Sequence, residues 1–240
     1  MEEISLIKFL KKPFFQVSDS SHSLKEKIIK VFYVYGLILL STILIGIFNK
    51  YLDNLLVNTF NLNSILNSNK KNFNEKFLLL GKYKFLVVAI CAPLLEELVF
   101  RLPLKPKISY IIFPIGYILY KLTGHSILNL NKSNFSEYFS LFIYLILIPS
   151  ILYPLISKFK FIELIKKNYT IYFYILAISF SLMHVLNFLP INPKLILLYP
   201  LFVLPQFIIG LGLGYIRNIY GLKYSWLLHS FINTPFAILN

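Results

Sequence analysis

Two carboxylates and a guanidinium fall within two helical turns of an otherwise apolar stretch, Ala92-Pro93-Leu94-Leu95-Glu96-Glu97-Leu98-Val99-Phe100-Arg101. Near the centre of a bilayer each such group costs ~2.5–3.5 kcal/mol on insertion scales, so the trio must be paired or must face a wet cavity. Glu97 and Arg101 are i,i+4 neighbours able to form an ion pair on one helix face, whereas Glu96 points about 100° away and is the freer carboxylate. Pro93 has no N–H for the carbonyl of Ala89, so the helix is expected to open just before the acidic pair and help admit water. The bland reading is a structural ion pair beside a carboxyl kept neutral by burial, and a transporter would also place acids here.

Two further apolar stretches carry imidazoles. Phe180-Ser181-Leu182-Met183-His184 is followed one turn later by Asn187, and Trp226-Leu227-Leu228-His229-Ser230-Phe231-Ile232-Asn233 stacks His229 and Asn233 on one helix face. Alone, His184 reads as a packed histidine donating to a backbone carbonyl. His229 and Asn233 alone read as interhelical hydrogen bonding worth ~0.6 kcal/mol per contact. Together with Glu96 and Glu97 they form a set able to activate water and to stabilise an oxyanion during attack on an amide carbonyl. Glu–His–His can instead ligate zinc with an open position for water, so the cofactor is either zinc or none. Both routes are amide hydrolysis.

The elements that must position these residues are membrane helices. With 57% apolar residues, 14% charged residues and a mean hydropathy of +0.69, the chain is too apolar for an ordinary soluble domain. About seven spans (six to eight) are expected, near 28–48, 83–104, 108–128, 138–157, 170–189, 195–216 and 222–239, with the catalytic candidates on three of them. The fold class is therefore all-α, a polytopic transmembrane bundle forming a single membrane-embedded domain over 1–240. A cytoplasmic tail occupies 1–27, and a polar Asn-rich loop able to hold an interfacial helix occupies 49–82. The first thirty residues show no uninterrupted apolar core of a cleaved signal, so the first span is expected to act as its own anchor.

The net charge of +14 is carried by short lysine runs beside apolar spans, which points to topology signals and membrane lipid rather than nucleic acid. Lysine and arginine in the flanks favour an inside amino terminus. The Asn, Lys, Ile, Phe and Tyr usage suits an AT-rich bacterial genome, hence a bacterial inner membrane. Cys91, the single cysteine, is read as packing, and Trp226 with Tyr224 as an interfacial belt. The run Gly210-Leu211-Gly212-Leu213-Gly214 is read as close helix packing. His125 has no identifiable companion and is read as structural.

At this point the sequence resembles the CAAX-protease and bacteriocin-processing family of intramembrane peptidases (CPBP, or Abi). Glu96-Glu97-x-x-x-Arg101, Phe180-x-x-x-His184 and His229-x-x-x-Asn233 match its three motifs in order, covering the chain from about residue 85 onward. The resemblance implies an endopeptidase acting on a membrane-associated peptide or protein, in peptide maturation or bacteriocin self-immunity. It implies that Glu96 activates water with His184, that His229 and Asn233 form the oxyanion site, and that Glu97 and Arg101 position the site. Members are labelled metallopeptidases, although a metal-free glutamate mechanism is also argued. Two departures stand out: Leu102-Pro103 follows Arg101 where many members have Gly, and two extra spans separate the first and second motifs. Depth is a further puzzle. At 1.5 Å per residue, His184 lies some 25 Å from Lys167, but Glu96 only about 15 Å from Lys105–Lys107. The competing readings are a proton-coupled transporter, for which no internal repeat is evident, and a catalytically idle scaffold.

Overall fold

The structure, a computed structural model, describes residues 5–15, 22–123, 139–140, 142–157 and 160–239. His125 and the end of the expected third span lie outside the described residues. Among the described residues every regular element is helical, in agreement with the all-α reading.

Helix α1 is Leu6–Lys11 and α2 is Leu24–Phe60. Ser23 and Glu26 close a reciprocal capping box that starts α2. Helix α3 is Ile65–Leu80. A π-helical run, Leu86–Cys91, leads directly into α4, Ala92–Phe100. Helix α5 is Ile108–Leu122, and a second π-helical run, Ile143–Leu147, leads into α6, Ile148–Ser157. Then follow α7 (Phe161–Lys167), α8 (Tyr169–Met183, continued by a tighter turn over His184–Phe188), α9 (Tyr199–Phe202), α10 (Leu204–Tyr220) and α11 (Leu222–Leu239).

By length and composition two helices are able to cross a bilayer, Leu24–Phe60 and Tyr169–Phe188. Only 17% and 28% of their apolar windows are buried within the protein, so most of that surface faces outward, as lipid-facing helices require. Among the described residues, the other five expected stretches hold shorter, interrupted or more polar helices. Proline causes two of the interruptions. Each π run ends two residues before a proline, Pro93 or Pro149, and widening the turn keeps the pyrrolidine ring clear of the preceding carbonyls.

The Asn-rich stretch 49–82 is mostly helical rather than a loop. Helix α2 runs a dozen residues past the expected end because its polar residues find partners. Buried Asn49 donates to the Phe202 carbonyl at 3.5 Å. Buried Asp53 accepts from Ser64 Oγ at 2.6 Å and from the Ile65 and Leu66 N–H groups at 2.8 and 3.4 Å, placing a carboxylate on the N-terminus of α3. From α3, Asn72 donates to the carbonyls of Asn187 and Leu189 (2.9 and 2.6 Å), and Lys76 donates to Asn187 Oδ1 at 3.0 Å. Burial pushes the Lys76 ammonium below the ordinary lysine range.

Helix α10 is the hub, packed against α8, α11 and α2. It approaches α2 so closely that a Cβ on Gly212 would stand 2.6 Å from Ile38 Cδ1; the packing role expected of the glycine run holds at this residue. The two extra spans, α5 and α6, pack on each other, and α5 joins them to α4. Cys91 is exposed on the outer face of the π run, so it packs against no core; an apolar thiol suits a lipid-facing position.

Replacing Asp53 with alanine leaves the half-buried Ser64 hydroxyl and the Ile65 and Leu66 N–H groups at the start of α3 without their carboxylate. A loss of about 1–3 kcal/mol is expected, read as a lower melting temperature of the purified protein in detergent. An unchanged melt would show that Asp53 does not hold α3 to α2.

Candidate active site

The site is built on α4, where the residue that must be neutralised most completely is Glu97, which has no exposed surface. Its Oε1 accepts from His229 Nδ1 at 3.0 Å and lies 3.5 Å from Arg101 Nε. Its Oε2 is bonded by the hydroxyl of Ser225. Helix α11 thus contributes two donors to a carboxylate on α4, and Arg101 supplies the countercharge one turn away. Glu96 projects from the other side of the same turn. It retains 29% of its side-chain exposure and lies 3.4 Å from His229 Nε2. A carboxylate therefore stands at each nitrogen of the His229 ring, one fully buried and one partly exposed.

Phe180 gathers the remaining members. Its ring lies edge-on to His184, with centroids 4.8 Å apart, and to His229 at 5.8 Å. The Arg101 guanidinium stacks over it with Cζ 3.9 Å from the centroid, a favourable cation–π geometry. His184 Nδ1 lies 2.8 Å from the Phe180 carbonyl. That bond assigns the proton to Nδ1 and leaves Nε2 with its lone pair. Helix α7, with Lys166 and Lys167 in its last turn, is separated from α8 by a break at Asn168, and His184 sits just beyond the last turn of α8.

Asn233 sits differently. Its Nδ2 donates to the Val88 carbonyl at 3.2 Å. Val88 is five residues before Pro93, so in the π register it is the carbonyl that the proline cannot serve. Trp226 donates its indole N–H to the Ile90 carbonyl at 3.3 Å. Both side chains dock α11 onto the opened segment of the α4 helix. Of the six sequence candidates, Glu96, Glu97, Arg101 and His229 are in direct contact. His184 reaches them across the Phe180 ring, and Asn233 is tied to the adjoining backbone.

The end of α4 is clamped from two helices. Arg217 Nε donates to the Arg101 carbonyl at 3.0 Å. The Tyr169 hydroxyl lies 2.9 Å from the Leu104 carbonyl and 2.6 Å from Asn218 Oδ1, and the Tyr172 hydroxyl donates to the Pro103 carbonyl at 3.2 Å. Sequence reasoning missed these groups and missed Ser225. The Ser225 signal was present, since it stands one turn before His229 on the face shared with Asn233. For Arg217 and the tyrosines there was none, because their partners are backbone atoms far away in the chain.

A family model, type II CAAX prenyl endopeptidase Rce1-like, matches residues 79–235, about two thirds of the chain. The chain belongs to this family. The Rce1-like region contains all three motifs and every residue of the site described above, and it leaves α1, α2 and most of α3 outside. The family is one of membrane-embedded endopeptidases, so the chain is a membrane protease in general type. Neither the curated proteins nor the solved structures gave a match to it.

A three-ligand zinc site does not fit the donors as they stand. Among the described residues no three His, Cys, Asp or Glu side chains converge to hold a metal ion. Glu97, already engaged by Arg101, His229 and Ser225, is not free to act as a ligand.

Arg101→Met removes the planar cation that stacks on Phe180 and with it the countercharge of Glu97. Breaking a buried pair of this kind costs about 3–5 kcal/mol, and the variant is expected to melt well below the unmodified protein in detergent. Retention of the native melt would show that Glu97 is neutralised by His229 and Ser225 alone.

Proposed function

We propose that the protein is an intramembrane endopeptidase that hydrolyses a peptide bond with water activated by Glu96 and His184. The observation that carries this reading is the division of labour between the adjacent glutamates: one is sealed and fully engaged, and the other is partly exposed beside an imidazole. The Rce1-like family match supports the same reaction class. A water between Glu96 and the free Nε2 of His184 gives one hydrogen to each acceptor and directs its lone pair at a carbonyl carbon. As the O–C bond forms, Glu96 takes the proton and later delivers it to the departing nitrogen while the C–N bond breaks.

Once Glu96 has taken the proton, the Nε2 edge of the His229 ring that faced it turns to the oxyanion, joined by the second amide hydrogen of Asn233. Glu97 and Arg101 position that imidazole. No step passes through a metal. The substrate is a membrane-associated peptide or protein, and peptide maturation or bacteriocin self-immunity suits a bacterial member. We place the chain in the bacterial inner membrane with seven spans and the amino terminus inside, the arrangement the lysine distribution supports.

Purified protein incubated with a set of membrane peptides, with and without chelator, is expected to give defined cleavage products by mass spectrometry. Glu96→Gln is expected to abolish them while leaving the folded yield intact, since Glu96 carries little of the packing. Full turnover by that variant would remove Glu96 from the mechanism. Loss of cleavage on chelation, restored by added zinc, would overturn the metal-free scheme.

A further inference from the structure

The glycine run of α10 does two different things. Gly212 lets α2 approach, whereas Gly210 and Gly214 border a small cavity closed by Phe100, Arg101, Leu104 and Phe173. Its volume is about 10 Å³, close to the minimum for a single water and too small for a larger ligand. Its charged wall is the Arg101 side chain, which is 2% exposed. Among the described residues none of the three guanidinium nitrogens has a hydrogen-bonding partner, although the group is ion-paired and stacked. Buried donors of this kind are otherwise satisfied by protein or by ordered water.

The geometry over Gly210 identifies the ligand. The point where a Cβ would stand is 3.6 Å from Arg101 Nη2 and 3.5 Å from the carbonyl oxygen of Ala177 on α8, with Phe180 Cδ1 at 3.2 Å. A donor and an acceptor from two helices therefore flank the side of Gly210 that borders the cavity, which Arg101 and Ala177 also line. Whatever fills it must accept from a guanidinium and donate to a carbonyl. A halide has nothing to donate, and a carboxylate is both too large and without a proton. Water meets both requirements, and a carbonyl already in a helix ladder keeps a second lone pair for it.

We propose that this cavity between α4, α8 and α10 is a one-water site, the oxygen accepting from Arg101 Nη2 and one hydrogen donated to the Ala177 carbonyl. Gly210 is then a positioning residue: its missing side chain leaves room for the water that holds the guanidinium against the Phe180 face and beside Glu97. The site stands on its own geometry and does not require the chain to be a peptidase.

Alanine and serine at position 210 separate this role from simple packing. Both add the same Cβ and ask the same small shift of Phe180, so that cost cancels between them. Gly210→Ala puts a methyl where the water binds, without its hydrogen bonds. Gly210→Ser brings a hydroxyl that accepts from Arg101 and donates to Ala177. Purified full-length variants in detergent are expected to melt in the order unmodified protein, Ser, Ala, with peptide cleavage reduced about tenfold in Ala and largely restored in Ser. Bulk alone, and the poorer helix propensity of serine, push the other way, so Ser melting at or below Ala overturns the proposal. The melting order is read whether or not any peptide is cleaved, so failure of the peptidase reading leaves this test intact. Should neither variant fold, a high-resolution experimental structure of the unmodified protein decides the matter. A water oxygen within hydrogen-bond reach of both Arg101 Nη2 and the Ala177 carbonyl supports the site, and apolar closure or an ion without contact to Ala177 overturns it.

Discussion

A carboxylate sealed from solvent has to be neutralised by groups that cannot move away, and at Glu97 those groups come from its own helix and from one that is distant in sequence. Arg101 provides the charge from the next turn of α4, while His229 and Ser225 provide directed hydrogens from α11. Removing two ions from water is so costly that such a pair adds little net stability even when its geometry is good. Its value lies in what it forbids. If α11 slides or rotates by a residue, an ionised carboxylate is left inside apolar surroundings, so the pair fixes the register of α11 on α4. The position of His229 against Glu96 follows from that register.

Proline does complementary work at the other end of α4. A regular helix through Pro93 would drive its ring into a carbonyl, and the π run relieves this by widening one turn. The relief leaves Val88 without its ladder partner, and Asn233 supplies the missing donor. The Pro149 run shows the alternative solution. There the corresponding carbonyl, that of Tyr144, lies against Gly116 of α5, where any side chain would collide with it. One irregularity recruits a polar side chain and the other recruits close packing, which explains why only the first lies beside ionisable residues.

Much of this was legible in the sequence. The i,i+4 ion pair, the divergent Glu96, the opening before Pro93 and the shared face of His229 and Asn233 all follow from helical spacing, and spacing is what the structure preserves. What escaped is non-local. The Asn49–Lys82 stretch looks like a loop because its asparagines and lysines are polar, yet Asp53 and Asn72 satisfy backbone groups brought near only by the fold. The partners of Trp226 and Asn233 could not be read from the sequence, because they are carbonyls beside a helix defect. Composition cannot show which backbone atoms a distortion will leave unpaired.

The chain leaving α4 poses the opposite problem to the chain entering it. A helix end leaves its last carbonyls without partners, and in apolar surroundings each must be met by protein. Leu102-Pro103 follows the end of α4, so the exit does not close through the left-handed glycine cap that satisfies such carbonyls elsewhere. The chain turns through a tight 3₁₀ segment instead, and side chains take the carbonyls one by one: Arg217 that of Arg101, Tyr172 that of Pro103, and Tyr169 that of Leu104. Pro103, which has no N–H, gives none of these carbonyls a donor, so the side chains must. The two-turn helix bearing both glutamates is thereby gripped at each end by side chains from α8, α10 and α11. A helix too short to be rigid alone then holds one carboxylate sealed and the next one partly exposed.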